Sequence, residues 1–183
     1  MENLSRKKEK LLDVKTSFSV DIPKYSFPKE ESEIPKVLET MKNKPLSEGE
    51  MKMLNISPST EMLRIVGETK KDYEKLILDI NAMAMKEKMK YKRERPYEVS
   101  DKIENPKTTT DDTPSFPSGH SMLGYALEKV LSNKYPNKKK ELKQMADKIS
   151  LSRIQLGVHY PSDIKVGKEI GYLIGEAYVA RNS

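Results

Sequence analysis

Cysteine and tryptophan are absent from this chain of 183 residues, and it holds only three phenylalanines. Without cysteine there is no disulfide framework and no thiolate for zinc or redox chemistry. So few aromatic residues disfavour a β-sandwich or barrel, because strands favour aromatic and β-branched side chains. No apolar run approaches the roughly 18 residues of a membrane-spanning helix, and the first 20 residues lack the apolar stretch of a secretory signal. We therefore expect a soluble, cytoplasmic protein without a membrane span.

Charged residues are abundant by contrast. They make up 34% of the chain, against 36% hydrophobic residues, and the formal net charge is +6 at pH 7. This balance is typical of a helical protein with much exposed surface. A positive net charge is compatible with an anionic partner, but a lysine-rich solvated surface is the simpler interpretation.

The apolar patterns along the chain predict an all-α fold with one helical domain over residues 31–183. Residues 1–30 are predicted to be an extended or weakly ordered N-terminal segment. Helices are predicted over residues 34–42, from a capping box at Ser47 and Glu50, from Pro58, and over 70–94, 118–134, 137–156 and from 161 onward. The last helix carries glycines at residues 167, 171 and 175, a spacing that predicts close packing against a neighbouring helix.

Three basic residues stand where helical periodicity calls for apolar side chains. Lys88 and Arg95 extend the inward stripe of the long helix, and Arg153 lies on the inward stripe of a later one. A buried cation costs several kcal/mol unless something negative meets it. Either structural carboxylates or a bound anion should therefore face these residues. For Lys88, which stands in a lysine-rich run, a solvated basic face is the alternative.

Both histidines of the chain stand at predicted helix starts. In "PSGH", Ser118 is placed as an N-cap and Gly119 lets the backbone approach a ligand, so phosphate could bind at the helix N-terminus beside His120. Asp163 follows His159 by four residues, and its carboxylate can accept one ring N–H and leave the other nitrogen as a nucleophile or base. Taken singly, each histidine could equally belong to an ordinary capping turn. Together with three inward cations, the two histidines predict a phosphoryl-transfer site.

Three motifs carry a family resemblance: "KMKYKRERP" at residues 88–96, "PSGH" at 117–120 and "SRIQLGVHYPSD" at 152–163. In order and spacing they resemble the motifs of the type 2 phosphatidic acid phosphatase superfamily, which includes bacterial class A acid phosphatases and vanadium haloperoxidases. The resemblance implies an all-helical bundle with the site between helices. In size the chain is closest to the soluble class A acid phosphatases. No family motif is present in residues 1–70.

The resemblance also implies a role for each matched residue. His159 would attack phosphorus and form a phosphohistidine, Asp163 would orient its ring, and His120 would protonate the leaving group. The remaining matched residues would bind phosphate: Lys88, Arg95, Ser118, Gly119 and Arg153. Phosphate or vanadate is the expected occupant of the pocket, and no metal or other cofactor is expected.

These roles predict a metal-independent phosphatase acting on small phosphomonoesters. Phosphotransfer to an alcohol or nucleoside and hydrolysis of a pyrophosphate are the alternatives within the same chemistry. A basic nucleic-acid-binding protein is the alternative from another class, and we do not expect a nucleic-acid partner. A homodimer is compatible with the sequence. The loop over residues 97–117, with Asp111 and Asp112, is predicted to wall the pocket and tune substrate choice.

Overall fold

The computed structural model describes residues 9–106 and 113–183. The α-helices that lie wholly within these ranges are α1 (Glu30–Asn43), α2 (Glu48–Ile56), α3 (Pro58–Arg64), α4 (Glu74–Tyr91), α5 (Pro96–Val99), α6 (Gly119–Lys134), α7 (Lys139–Gln155) and α8 (Pro161–Asn182). Two short 3-10 turns, at Lys70–Tyr73 and Pro136–Lys138, precede α4 and α7. Neither described range contains a strand. The all-α prediction is confirmed.

Local sequence signals account for several helix starts. Ser47 caps α2, with the reciprocal hydrogen bonds of a capping box to Glu50, and Pro58 occupies the first position of α3. The predicted start of α1 at residue 34 is wrong, because the helix begins at Glu30. Three glutamates in its first turn suit the positive end of the helix dipole.

The long helix is shorter than predicted. Its predicted first turn is a 3-10 turn, and α4 ends at Tyr91 because Lys92 adopts a left-handed conformation with φ of 52°. The chain then continues to Arg95, which lies outside α4 as the N-cap of the four-residue helix α5. The loop predicted over residues 97–117 therefore opens within a helical turn, Pro96–Val99.

The centre of the bundle is the contact between α6 and α8. A Cβ atom at Gly171 would lie 2.7 Å from the Met122 carbonyl oxygen, and one at Gly175 would lie 2.6 Å from the Lys129 Cβ atom. Only residues without a Cβ allow this approach, so the glycine row serves close packing as predicted. Fully buried apolar side chains surround the contact: Ile80, Met122, Ala126, Leu127, Leu131, Ala146, Ile149, Ile170 and Ile174.

The segment before α1 lies against the bundle. Residues 14–29 form no helix, but several of their apolar side chains pack on the core, among them Phe18, Ile22 and Phe27. The Tyr25 backbone N–H donates to the Tyr91 hydroxyl on α4, at 2.8 Å. This placement brings the end of the segment close to the start of α8, where the third motif lies.

Candidate active site

Lys88 stands in the last turn of α4 and is 6% exposed. Its Nζ atom donates to the carbonyl oxygens of Pro114 and Ser115, the latter at 3.0 Å. Burial lowers the pKa of Lys88 well below its usual range, and the neighbouring charge of Arg95 lowers it further. Within residues 9–106 and 113–183, the hydrogen bonds of this buried cation go to carbonyl oxygens and not to a carboxylate.

Arg95 is 1% exposed and reaches across the site from the start of α5. Its Nε donates to the Thr113 carbonyl oxygen at 2.8 Å, and Nη1 donates to the Val158 carbonyl oxygen, also at 2.8 Å. Val158 directly precedes His159, so this bond joins the first motif to the third. Asp111 and Asp112, which the sequence places in the pocket wall, lie outside the described residues.

The second motif forms the N-terminus of α6. Ser118 is the N-cap, and its hydroxyl accepts the Ser121 N–H at 3.4 Å. Gly119 holds the first helical position, where backbone N–H groups lack partners within the helix. A Cβ atom at Gly119 would lie 4.0 Å from the Lys88 Cε atom, so the second motif lies next to the first. The Ser118 N–H donates to the Asp163 carbonyl oxygen at 3.1 Å, which joins the second motif to the third.

The third motif spans the end of α7 and the start of α8. Arg153 is fully buried, and its Nη1 donates to the Asn55 side-chain oxygen at 2.7 Å. His159 is 2% exposed, with Nδ1 3.0 Å from Asp163 Oδ2. The same Asp163 oxygen accepts the Tyr160 backbone N–H at 3.0 Å. A carboxylate beside Nδ1 favours the tautomer with the proton on Nδ1, which leaves the Nε2 lone pair for chemistry.

Both histidines sit in a strongly positive environment. Burial lowers the pKa of His159 well below its usual range, and the charges of Lys88, Arg95 and Arg153 lower it further. Burial likewise lowers the pKa of His120, with Arg153 the next cause, while a hydrogen bond with the Asn55 backbone opposes the fall. Among the described residues, the buried Nε2 atom of His120 has no hydrogen-bond partner. The structure thus gathers every residue of the predicted site into one electropositive cluster.

Two contacts of this cluster were missed by sequence reasoning. Asn55, at the end of α2, contacts both Arg153 and His120, and no pattern in the sequence marks it. Arg93 donates from Nη1 to Asp163 Oδ1 at 2.7 Å and is 2% exposed. It lies in the basic run after the left-handed turn at Lys92, where helical periodicity no longer predicts burial. The sequence marks Arg93 only by its position inside the first motif, between Lys88 and Arg95.

Comparison with known proteins agrees with the geometry. The model of the PAP2 superfamily matches residues 76–181, which is more than half of the chain and includes all three motifs. Over 57 residues the chain is 37% identical to a non-specific acid phosphatase of Salmonella typhimurium. That match covers 31% of this chain and 23% of the Salmonella protein, so it spans less than a quarter of the relative's length.

The helical arrangement also has a counterpart among solved structures. A bacterial vanadium-dependent iodoperoxidase superposes with a TM-score of 0.63 at 20% identity, over 92% of this chain and 53% of that one. A transmembrane PAP2-type phosphatidylglycerolphosphate phosphatase from Bacillus subtilis gives a TM-score of 0.47 at 16% identity, over 99% of this chain and 85% of that one. Within the described residues, no helix of this chain has the length and apolarity to cross a membrane. The fold, the three joined motifs and the family match lead to one conclusion: this chain belongs to the PAP2 superfamily.

Proposed function

We propose that this protein is a metal-independent phosphatase that hydrolyses small phosphomonoesters through a phosphohistidine at His159. The observation that carries the proposal is the pairing of His159 Nδ1 with Asp163 at 3.0 Å, inside a cluster of buried cations. The pairing supports Nε2 as the nucleophile. The cations support binding of a dianionic phosphoryl group, because, beyond burial, the charges of Arg95 and Arg153 lower the pKa of Lys88 and a bound anion would offset this repulsion.

In the first step, the Nε2 lone pair of His159 attacks phosphorus and the bond to the ester oxygen breaks. The departing oxygen takes the proton from Nε2 of His120, so an alcohol leaves. Lys88, Arg95 and Arg153 would bind the non-bridging oxygens, whose charge they stabilise in the transition state. The Ser118 hydroxyl and the Gly119 N–H would complete the phosphate contacts at the α6 N-terminus.

In the second step, neutral His120 accepts a proton from water while the water oxygen attacks the phosphohistidine. The bond between phosphorus and His159 Nε2 breaks, and inorganic phosphate forms. Asp163 holds the Nδ1 proton of His159 throughout, so the ring keeps its orientation as its charge changes. General acid and base assistance of this kind contributes about 10²–10⁴-fold to a rate.

Hydrolysis of p-nitrophenyl phosphate in EDTA, between pH 4 and 8, tests the proposal. We expect the native protein to be active and His159→Ala to lose about 10³-fold or more, because the nucleophile is gone. Replacing the exposed Lys129, which pairs with Glu176 on the surface, by methionine is the control and should leave the rate unchanged. An inactive native protein, or a His159→Ala variant as active as the native one, contradicts the proposal.

The ratio of products separates the alternatives in the same assay. Hydrolysis releases p-nitrophenol and inorganic phosphate in equal amounts, whereas phosphotransfer to an added alcohol or nucleoside releases p-nitrophenol in excess. Release of phosphate from an added pyrophosphate tests the remaining alternative, which is pyrophosphate hydrolysis. A nucleic-acid-binding role would instead give an affinity that falls steeply with salt and survives His159→Ala. The cytoplasmic location and the homodimer stay predictions.

Metal independence also stays a prediction. In residues 9–106 and 113–183, no group of three or more histidine, aspartate or glutamate side chains is arranged to hold a metal ion. Retention of activity in EDTA is the measurement that decides this point. Restoration of lost activity by a divalent cation would contradict it.

A further inference from the structure

Arg93 is buried in the molecule at the point where the N-terminal segment meets Asp163. Its guanidinium lies between two aromatic rings, 4.2 Å from the Phe27 centroid and 4.0 Å from the Tyr160 centroid. Stacking on both faces fixes the plane of the guanidinium. Nη1 then donates to Asp163 Oδ1 and to the Ser162 hydroxyl, each at 2.7 Å.

The other side of the guanidinium is bound by residues that precede the family match. Nη2 donates to Glu33 Oε2 at 2.9 Å and to the Pro28 carbonyl oxygen at 3.2 Å. Nε lies 3.4 Å from Glu30 Oε1. Burial alone would lower the pKa of Arg93, but the Asp163 and Glu33 carboxylates more than offset it and raise the pKa. Arg93 is therefore a permanent cation among three carboxylates.

Glu33 also binds the first turn of α8 directly. Its Oε1 atom accepts the Ser162 backbone N–H at 2.9 Å, and its Oε2 atom accepts the Ser162 hydroxyl at 2.5 Å. A carboxylate at this position satisfies a free N–H group and complements the helix dipole. Glu33 on α1 thus fixes both Arg93 and the helical turn that carries Asp163.

With these contacts, both oxygens of the Asp163 carboxylate have hydrogen-bond partners. Oδ2 accepts the Tyr160 N–H and pairs with His159, while Oδ1 accepts from Arg93. Without Arg93, one buried carboxylate oxygen would lose its charged partner, and the carboxylate could rotate about the remaining bonds. The His159 ring would then lose the fixed acceptor that sets its tautomer and direction.

The geometry points to Arg93 as a positioning residue for His159, acting through Asp163 and clamped by Phe27, Glu30 and Glu33 of the N-terminal region. This inference rests on the proposed function for its effect on rate. Residues 27–33 lie outside the family match at 76–181, and in this role they help to hold the active site in position. Arg93 does not contact the phosphate group in this role, so its loss should lower kcat and leave KM nearly unchanged.

The test compares Arg93→Gln, Arg93→Lys and Glu33→Gln with Glu39→Gln. Glu39 lies on the same helix as Glu33, but among the described residues it forms an exposed ion pair with Lys36 alone, so it is the matched control. We expect kcat for p-nitrophenyl phosphate to fall by about 10- to 100-fold in Arg93→Gln, the scale of a misplaced catalytic group, with KM within about twofold. Arg93→Lys should recover only part of kcat, because lysine keeps the charge but lacks the planar fork.

A second readout does not depend on activity. The chain has two histidines, so ¹⁵N NMR of the imidazole rings can follow His159 directly, with His120→Gln giving the assignment. We expect the native His159 to hold its proton on Nδ1. In Arg93→Gln both the tautomer and the titration of His159 should change, because Asp163 Oδ1 loses its donor and loss of the Arg93 charge raises the pKa of the Asp163 acceptor. The charged and titratable groups that face this pair and Arg93 are Glu30, Glu33, Lys88, Arg95, His120, Arg153 and Tyr160.

Each outcome decides the inference. A folded Arg93→Gln variant with native kcat and native His159 titration overturns it, as does a rise in KM without a fall in kcat. If Arg93→Gln fails to fold, Glu33→Gln decides: a fall in kcat of several-fold, absent in Glu39→Gln, supports the clamp, and equal rates overturn it. If the native protein has no phosphatase activity, the proposed function fails, while the NMR titration still tests the positioning of His159.

Discussion

His120 and His159 have the same side chain but make different contacts. His159 pairs with Asp163 through Nδ1, whereas the His120 ring bonds to the Asn55 backbone and keeps a buried Nε2 atom without a partner among the described residues. The pair with the carboxylate suits a nucleophile, and the unpartnered nitrogen suits a group that exchanges a proton with substrate. Burial and nearby cations lower the pKa of both rings.

The lowered pKa values predict an acidic optimum. In the proposed mechanism the rate requires protonated His120, so kcat/KM should fall as pH rises above the pKa of His120, which burial and Arg153 lower well below its usual range. It also requires neutral His159, so the other limb of the kcat/KM profile reports the pKa of His159, which burial and the cations also lower well below its usual range. We expect a bell-shaped kcat/KM profile with its maximum below about pH 6.5. The limbs of the kcat profile should lie at higher pH, because bound phosphate raises both pKa values. A kcat/KM maximum above pH 7 would contradict this electrostatic account.

Residue identities in the site were predictable where a pattern existed. Periodicity marked Lys88 and Arg153 as inward cations, and both are buried. Arg93 has no such pattern, because the helix ends two residues before it and the left-handed turn at Lys92 redirects the chain. No sequence pattern marks Glu33 either. Its contacts depend on how α1 docks, which local sequence does not encode.

At the scale of helices, the site depends on how closely α8 approaches α6. Gly167 lies where a Cβ atom would come within 2.7 Å of the Ser118 carbonyl oxygen. The glycine row therefore sets the distance between the N-cap of the second motif and the helix that carries Asp163. The row was visible in the sequence, but its partner helix was not.

Gly171→Ala tests this packing one turn away from the site. Its Cβ would lie 2.7 Å from the Met122 carbonyl oxygen and 3.0 Å from the Tyr125 Cβ atom, so the helices must move apart. We expect the free energy of unfolding to fall by about 1–3 kcal/mol, measured by chemical denaturation. Gly49→Ala on α2 is the control, because nothing lies within 4 Å of that position. It should stabilise the protein by about 0.5–1 kcal/mol. Equal effects of the two substitutions would show that α6 and α8 are not in tight contact.

For the whole molecule, the motifs form one unit although 75 positions separate Lys88 from Asp163. Lys88 binds the chain just before the second motif, Arg95 binds the Val158 carbonyl, and the Ser118 N–H binds the Asp163 carbonyl. The all-α class and the motif cluster were predictable from sequence. The wrapping of residues 14–29 around the bundle was not, because a polar, proline-containing stretch gives no periodic signal.

A preassembled cationic site predicts that anions stabilise the fold. Vanadate or phosphate at about 100 times its dissociation constant should add about 2.7 kcal/mol to the free energy of unfolding, or about 5–10 °C in Tm for a chain of this size. Thermal unfolding at constant ionic strength measures the shift. Lys88→Met should lose most of it, and Lys129→Met on the surface should keep it. A shift of the same size in both variants would indicate nonspecific binding.

The central claim is the covalent intermediate on His159. Rapid acid-free quenching of the protein with a phosphomonoester, followed by digestion and mass spectrometry, detects phosphohistidine directly. We predict a phosphoryl group on the peptide that contains His159, at a position that acid hydrolyses and base preserves, and no such group in His159→Ala. Turnover of the ester by the native protein with phosphate found on His120, or on neither histidine, would contradict the account.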